Sequence, residues 1–150
     1  MFRAAFIIFA LVSSASCADA KPPETAVVKT QTEDVNSFTG LWVNQRGSGV
    51  TFTVTDGMLS GVYQTALGAP NKSKKFPLTG FVEGDQITFT VNFKGYGSLT
   101  SWTGQMTRDA KGDYIRTLWN LTRDVDNDKE DDDLWKSITS GASDFRRVTP

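Results

Sequence analysis

From about residue 39 onward, apolar and polar positions alternate in short runs separated by turn residues. A period of two is the mark of a strand with one buried face. The runs predict strands over 39–45, 50–54, 58–66, 76–82, 86–93, 99–107, 114–123 and 142–148. Asp56 and Gly57 form an Asp-Gly hairpin pair between the second and third runs. Residues 67–75 and 94–97 make loops, 124–133 is an acidic loop, and 134–138 has room for one helical turn. Such short connections join antiparallel neighbours. The expected fold is all-β, an eight-stranded antiparallel up-and-down β-barrel, in which closure removes every free edge. A barrel of that size has room for one small ligand.

The start of the chain departs from this pattern. Arg3, the apolar run 4–12 and the small residues Ala18 and Ala20 read as a secretory signal over 1–20, cleaved near Ala20. The run is too short for a membrane anchor. Ser14 stands where a lipoprotein signal has leucine three residues before its cysteine, which argues against lipidation of Cys17. Residues 21–37 are polar, contain Pro22 and Pro23, and read as a flexible arm before a barrel over 38–150. The expected location is secreted or periplasmic. Loss of 1–20 removes Arg3 and Asp19 together, so the formal net charge stays at -1. That balance gives no field to draw in nucleic acid.

Chemistry enters on one strand face. Trp42 and Asn44 point the same way; if that way is inward, a large ring closes one end of a core and an amide lies further along the same face. Tyr63 and Thr65 share a face, as do Ser98, Thr100 and Trp102, and Thr117, Trp119 and Leu121. Hydroxyls donate and accept, and indoles make wide rigid walls, so together they suit a small-molecule pocket. Periodicity leaves an alternative open, with hydroxyls outside and aromatics in a packed core.

Six stretches carry a resemblance: GLWVNQRGS at 40–48, LSGVYQTALG at 59–68, TFTVNF at 88–93, TSWTGQ at 100–105, TLWNLT at 117–122 and WKS at 135–137. In this order they resemble the avidin and streptavidin family of biotin-binding proteins. The resemblance implies non-catalytic binding of biotin, with no cofactor and no metal. It implies that Asn44, Ser48 and Tyr63 donate to the ureido oxygen and that Thr65 accepts from one ureido N–H. It places Thr100 near the thiophene sulfur, and Ser98 and Ala69 around the carboxylate. Phe93, Trp102 and Trp119 match the aromatic walls, with Leu121 beside them; Phe93 replaces a tryptophan of the well-known relatives. Trp135 matches a lid that one subunit lends to its neighbour, which implies a homo-oligomer, a tetramer rather than a dimer. Ser143 falls where the family has an acidic or amide partner for the second ureido N–H, and Asp144 falls on the opposite face of a regular strand.

Rival readings are a lipocalin-like carrier of another small ligand, suggested by Gly40-Leu41-Trp42, and an enzyme. The chain has no histidine, and its single cysteine lies in the signal, so the commonest bases and nucleophiles are missing. The acidic loop lacks the glycine and terminal glutamate of a calcium loop and reads as a solvated hairpin tip. Lys72, Lys74 and Lys75 read either as a solvated loop or as attraction for a ligand carboxylate.

Overall fold

A computed structural model describes residues 35–148. The candidate signal and most of the arm lie outside the described residues. Eight strands close into one barrel in sequence order. They are β1 (Gly40–Asn44), β2 (Gly49–Thr55), β3 (Met58–Gln64), β4 (Phe76–Glu83), β5 (Gln86–Phe93), β6 (Ser98–Asp109), β7 (Gly112–Arg123) and β8 (Ile138–Arg147). Every neighbour is antiparallel, and β8 returns to β1 through Trp42 opposite Arg147 and Asn44 opposite Phe145. The alternation seen in the sequence is the in–out alternation of the wall: along β4, buried and exposed residues alternate without a break.

Asp56 and Gly57 both have positive φ, 49° and 76°, as a tight hairpin matched to strand twist requires. One end of the barrel is filled. Trp42, Phe52, Leu59, Phe89, Ile115 and Phe145 are fully buried there. A 3-10 turn, Val35–Phe38, seals that end: Phe38 is buried, its carbonyl accepts from Trp42 Nε1 at 2.8 Å, and the Arg147 guanidinium lies 4.3 Å from the Trp42 ring. The described residues 35–37, at the end of the expected arm, belong to this turn.

Most strand ends fall within about two residues of expectation, and two of the shifts have a clear cause. β3 stops at Gln64 because the Thr65 hydroxyl closes a local turn: it donates to the Leu67 carbonyl at 2.8 Å and accepts from the Leu67 N–H at 3.1 Å. β8 begins at Ile138, not 142, since β7 extends far enough to pair Thr122 with Ile138. Its first residues are exposed on both faces and so carry no alternation to read. The helical turn expected within 134–138 is present as a 3-10 turn, Leu134–Lys136, and is preceded by a short helix, Glu130–Asp133, that was not expected in the acidic loop.

Candidate functional site

The other end of the barrel is open. Apolar side chains stop partway up, and above them lies a cavity of about 490 Å³, within the usual range for small-molecule sites. Every strand except β2 and β4 presents at least one side chain to it, and Ser48 in the turn just before β2 adds another.

The floor is aromatic. Tyr63 on β3 lies between Phe93 of β5, edge-on at 5.9 Å, and Trp102 of β6 at 5.2 Å. Trp102 stacks on the core residue Phe89 at 4.8 Å and 9°. Phe76 backs Phe93 edge-on at 4.9 Å. These contacts restrict each ring to one orientation. Trp119 on β7 stands across from Gly141 of β8, where absence of a side chain is required: a Cβ there would lie 2.3 Å from Trp119 Cζ2.

The turn after β1 sets the polar end. Asn44 Oδ1 accepts from the backbone N–H groups of Arg46 and Ser48, both at 3.0 Å. Only oxygen can accept these bonds, so the Asn44 amide is fixed with its NH₂ as the remaining donor. Ser48 Oγ accepts from the Ala66 N–H at 3.0 Å, which leaves its own proton for the cavity side, beside Tyr63. Burial pushes the Tyr63 phenol above its ordinary pKa, partly offset by the Ser48 hydroxyl. Tyr63 thus stays a protonated donor at neutral and mildly basic pH. Three donors border one region, each with its acceptor duties met by protein or its proton held by burial.

Acceptors lie elsewhere on the wall. Thr65 spends one donor and one lone pair on Leu67 and keeps a second lone pair. Ser143 on β8 is buried at 5% exposure and lines the cavity. Its backbone carbonyl accepts from Thr117 Oγ1 at 2.8 Å, inside an unbroken register from Tyr114–Arg146 to Thr122–Ile138. No bulge interrupts that pairing, so Asp144 faces outward, where it meets Arg116 at 3.2 Å. On β6, Thr100 Oγ1 and Trp102 Nε1 are buried with no protein partner. Unpaired buried polar groups are costly, and here both belong to residues of the cavity wall.

Of the residues singled out from the sequence, Asn44, Ser48, Tyr63, Thr65, Ala69, Phe93, Ser98, Thr100, Trp102, Trp119, Leu121 and Ser143 all line this cavity. Trp135 does not. It is 79% exposed, with Leu134 and Ile138 also exposed nearby, so it does not pack on its own barrel. Sequence reasoning passed over Leu67, Pro70 and Tyr96, which stand on loops without periodicity, and Arg123. Arg123 was legible: it continues the inward parity of Trp119 and Leu121.

The family model for avidin matches residues 32–148. The chain belongs to the avidin family. It is 38% identical to avidin from Gallus gallus over 122 residues, which span 75% of this chain and 78% of that protein. Among solved structures it is similar to the biotin binding protein from chicken, with 35% identity and a TM-score of 0.65 over 77% of this chain and 98% of the other. It is also similar to rhizavidin, solved as a biotin complex, with 30% identity and a TM-score of 0.62 over 73% of this chain and 99% of the other. Avidin-family proteins bind without catalysis, and this chain is a binding protein rather than an enzyme. A lipocalin-like carrier is disfavoured by the same membership and by the hydroxyls on the cavity wall.

Proposed function

We propose that this avidin-family chain binds biotin tightly, one molecule per barrel, with the bicyclic ring toward the aromatic floor. The observation that carries this reading is the set of three donors, Asn44 Nδ2, Ser48 Oγ and Tyr63 Oη, whose local bonds leave hydrogen for an oxygen in the cavity. A ureido oxygen placed among them is polarised as a carbonyl is in an oxyanion hole. Thr65 and Ser143 then accept from the two ureido N–H groups. Phe93, Trp102 and Trp119, with Leu121, wall the ring. Thr100 meets the sulfur, and Ser98 and the backbone at Ala69 meet the carboxylate. The solved biotin complex of rhizavidin, similar in fold and sequence, supports the same ligand here.

The test is a thermal melt of the processed protein. A ligand that binds only the folded state adds RT ln(1 + [L]/Kd), about 4 kcal/mol at a thousandfold excess over Kd. Saturating biotin is therefore expected to raise the melting temperature by several degrees or more, with retention on a biotin matrix. No shift and no retention would end this reading.

The proposal extends to assembly and export. Trp135 serves as a lid over a neighbouring subunit's cavity in a homotetramer, which accounts for a bare indole on a loop. Light scattering is expected to give four copies, and Trp135→Ala to speed biotin release. A monomer, or unchanged release, would remove the shared lid. The N-terminal pattern at 1–20 supports secretion before assembly. Among the described residues no helix is long and apolar enough to cross a membrane.

A further inference from the structure

Among the described residues, Arg46 and Arg123 are the only charged ones that line the cavity. They reach it from opposite directions in the chain. Arg46 sits in the turn after β1, two residues beyond Asn44. Arg123 ends β7 on the face that carries Trp119 and Leu121, and its register partner is Ser98. Both side chains are solvent-exposed, so they stand at the rim rather than the floor. Neither makes an ion pair among the described residues, whereas Arg108, Arg116 and Arg146 each hold an aspartate. A third cation is close: Lys74 Nζ lies 4.7 Å from the ring centre of Tyr96, another lining residue. The chain as a whole carries a formal net charge of -1, so a positive rim is a local feature. Acidic residues begin again at Asp124, immediately after Arg123, but none of them lines the cavity.

We infer that Arg46 and Arg123 are specificity-determining residues that make this site select ligands ending in a free carboxylate over the same ligands capped as amides or esters. The inference rests on the biotin reading above, in which the ring fills the floor and the valeryl carboxylate exits past Ser98. A guanidinium presents paired N–H donors matched to a carboxylate, and charge-assisted bonds are roughly twice as strong as neutral ones. An amide or ester at the same point keeps the carbonyl oxygen but loses both the charge and the second acceptor oxygen that faces the guanidinium. The site thus discriminates against biotin already coupled to lysine through an amide. Exposed cations at the mouth also speed the approach of an anion, an effect that salt removes.

The experiment compares biotin, biotin amide and biotin methyl ester on the wild-type protein and on Arg46→Gln, Arg123→Gln, the double variant and Arg123→Lys. Affinity and association rate are measured at about 0.1 M and about 1 M salt, where the Debye length falls from roughly 10 Å to 3 Å. The wild type is expected to prefer the acid by about tenfold or more, a preference that shrinks at high salt. In the double variant the acid-to-amide ratio falls to within about threefold of one, while Arg123→Lys, which keeps the charge and loses the paired donors, gives an intermediate ratio. Equal affinity for acid and amide in the wild type would overturn the inference and leave the biotin reading intact. A ratio that persists in the double variant would do the same. If acid, amide and ester all fail to bind, the biotin reading itself fails and this inference falls with it.

Discussion

Ser143→Ala is expected to release biotin roughly 5- to 200-fold faster, and Asp144→Ala to leave release close to that of the wild type. The range follows from leaving one buried donor unpaired, which costs about 1–3 kcal/mol. Ser143 is 5% exposed and faces the cavity, so water does not readily replace its hydroxyl. Asp144 is the next residue on a regular strand and pairs with Arg116 on the outer surface. That exposed pair contributes little to binding inside the barrel. In the proposed biotin complex a Ser143 hydroxyl is a neutral acceptor, and it would hold the second ureido N–H less firmly than a carboxylate would. Stopped-flow or displacement measurements of dissociation settle the matter. Fast release from Asp144→Ala with normal release from Ser143→Ala would mean that the ligand approaches β8 from a different side than the register implies.

The second large effect is steric. Gly141→Ala sets a methyl group 2.3 Å from Cζ2, 2.7 Å from Cε2 and 3.0 Å from Cη2 of Trp119. Real Cβ atoms do not tolerate such distances, and Trp119 must turn. The wall behind it is closed by backbone pairing with β6 and β8, so the open direction is the cavity. Overpacking of this kind costs about 1–3 kcal/mol. The variant is expected to fold and to bind biotin at least about tenfold more weakly, because the displaced indole occupies ligand volume. Gly80→Ala is the control. Its Cβ would meet the Thr88 carbonyl oxygen at 1.9 Å, a backbone atom that cannot rotate away. That variant is expected to lower the melting temperature more than Gly141→Ala does, with no selective effect on the ligand. Wild-type affinity in a folded Gly141→Ala protein would show that Trp119 swings out of the site instead.

Period-two alternation was enough to locate all eight strands and to say which residues share a face, because burial on one side of a sheet leaves a direct imprint on residue type. It put Thr100 with Trp102, and Trp119 with Leu121, on shared faces; the inward direction of those faces, and the place of Ser143 among them, were expectations from the family resemblance and are positions on the cavity wall in the folded barrel. Where both faces meet solvent, as at Ile138 to Ser140, no imprint exists, and the start of β8 came only from its pairing with β7. Thr65 looked like a strand residue until its hydroxyl was seen to close a turn with Leu67. Tyr96 and Pro70 reach the cavity from loops, where position follows from tertiary packing and not from any period. The orientation of the Asn44 amide is likewise a property of the folded turn: two backbone N–H groups claim its oxygen, and that choice leaves its NH₂ as a donor on the cavity wall. By itself, then, the sequence determined the strand pattern and which residues share a face. The folded turns decided which of those groups are spent on the protein and which remain for a ligand: neighbouring backbone claims Asn44 Oδ1 and the Thr65 hydroxyl, and Ser48 Oγ meets the Ala66 N–H only once β2 and β3 have paired.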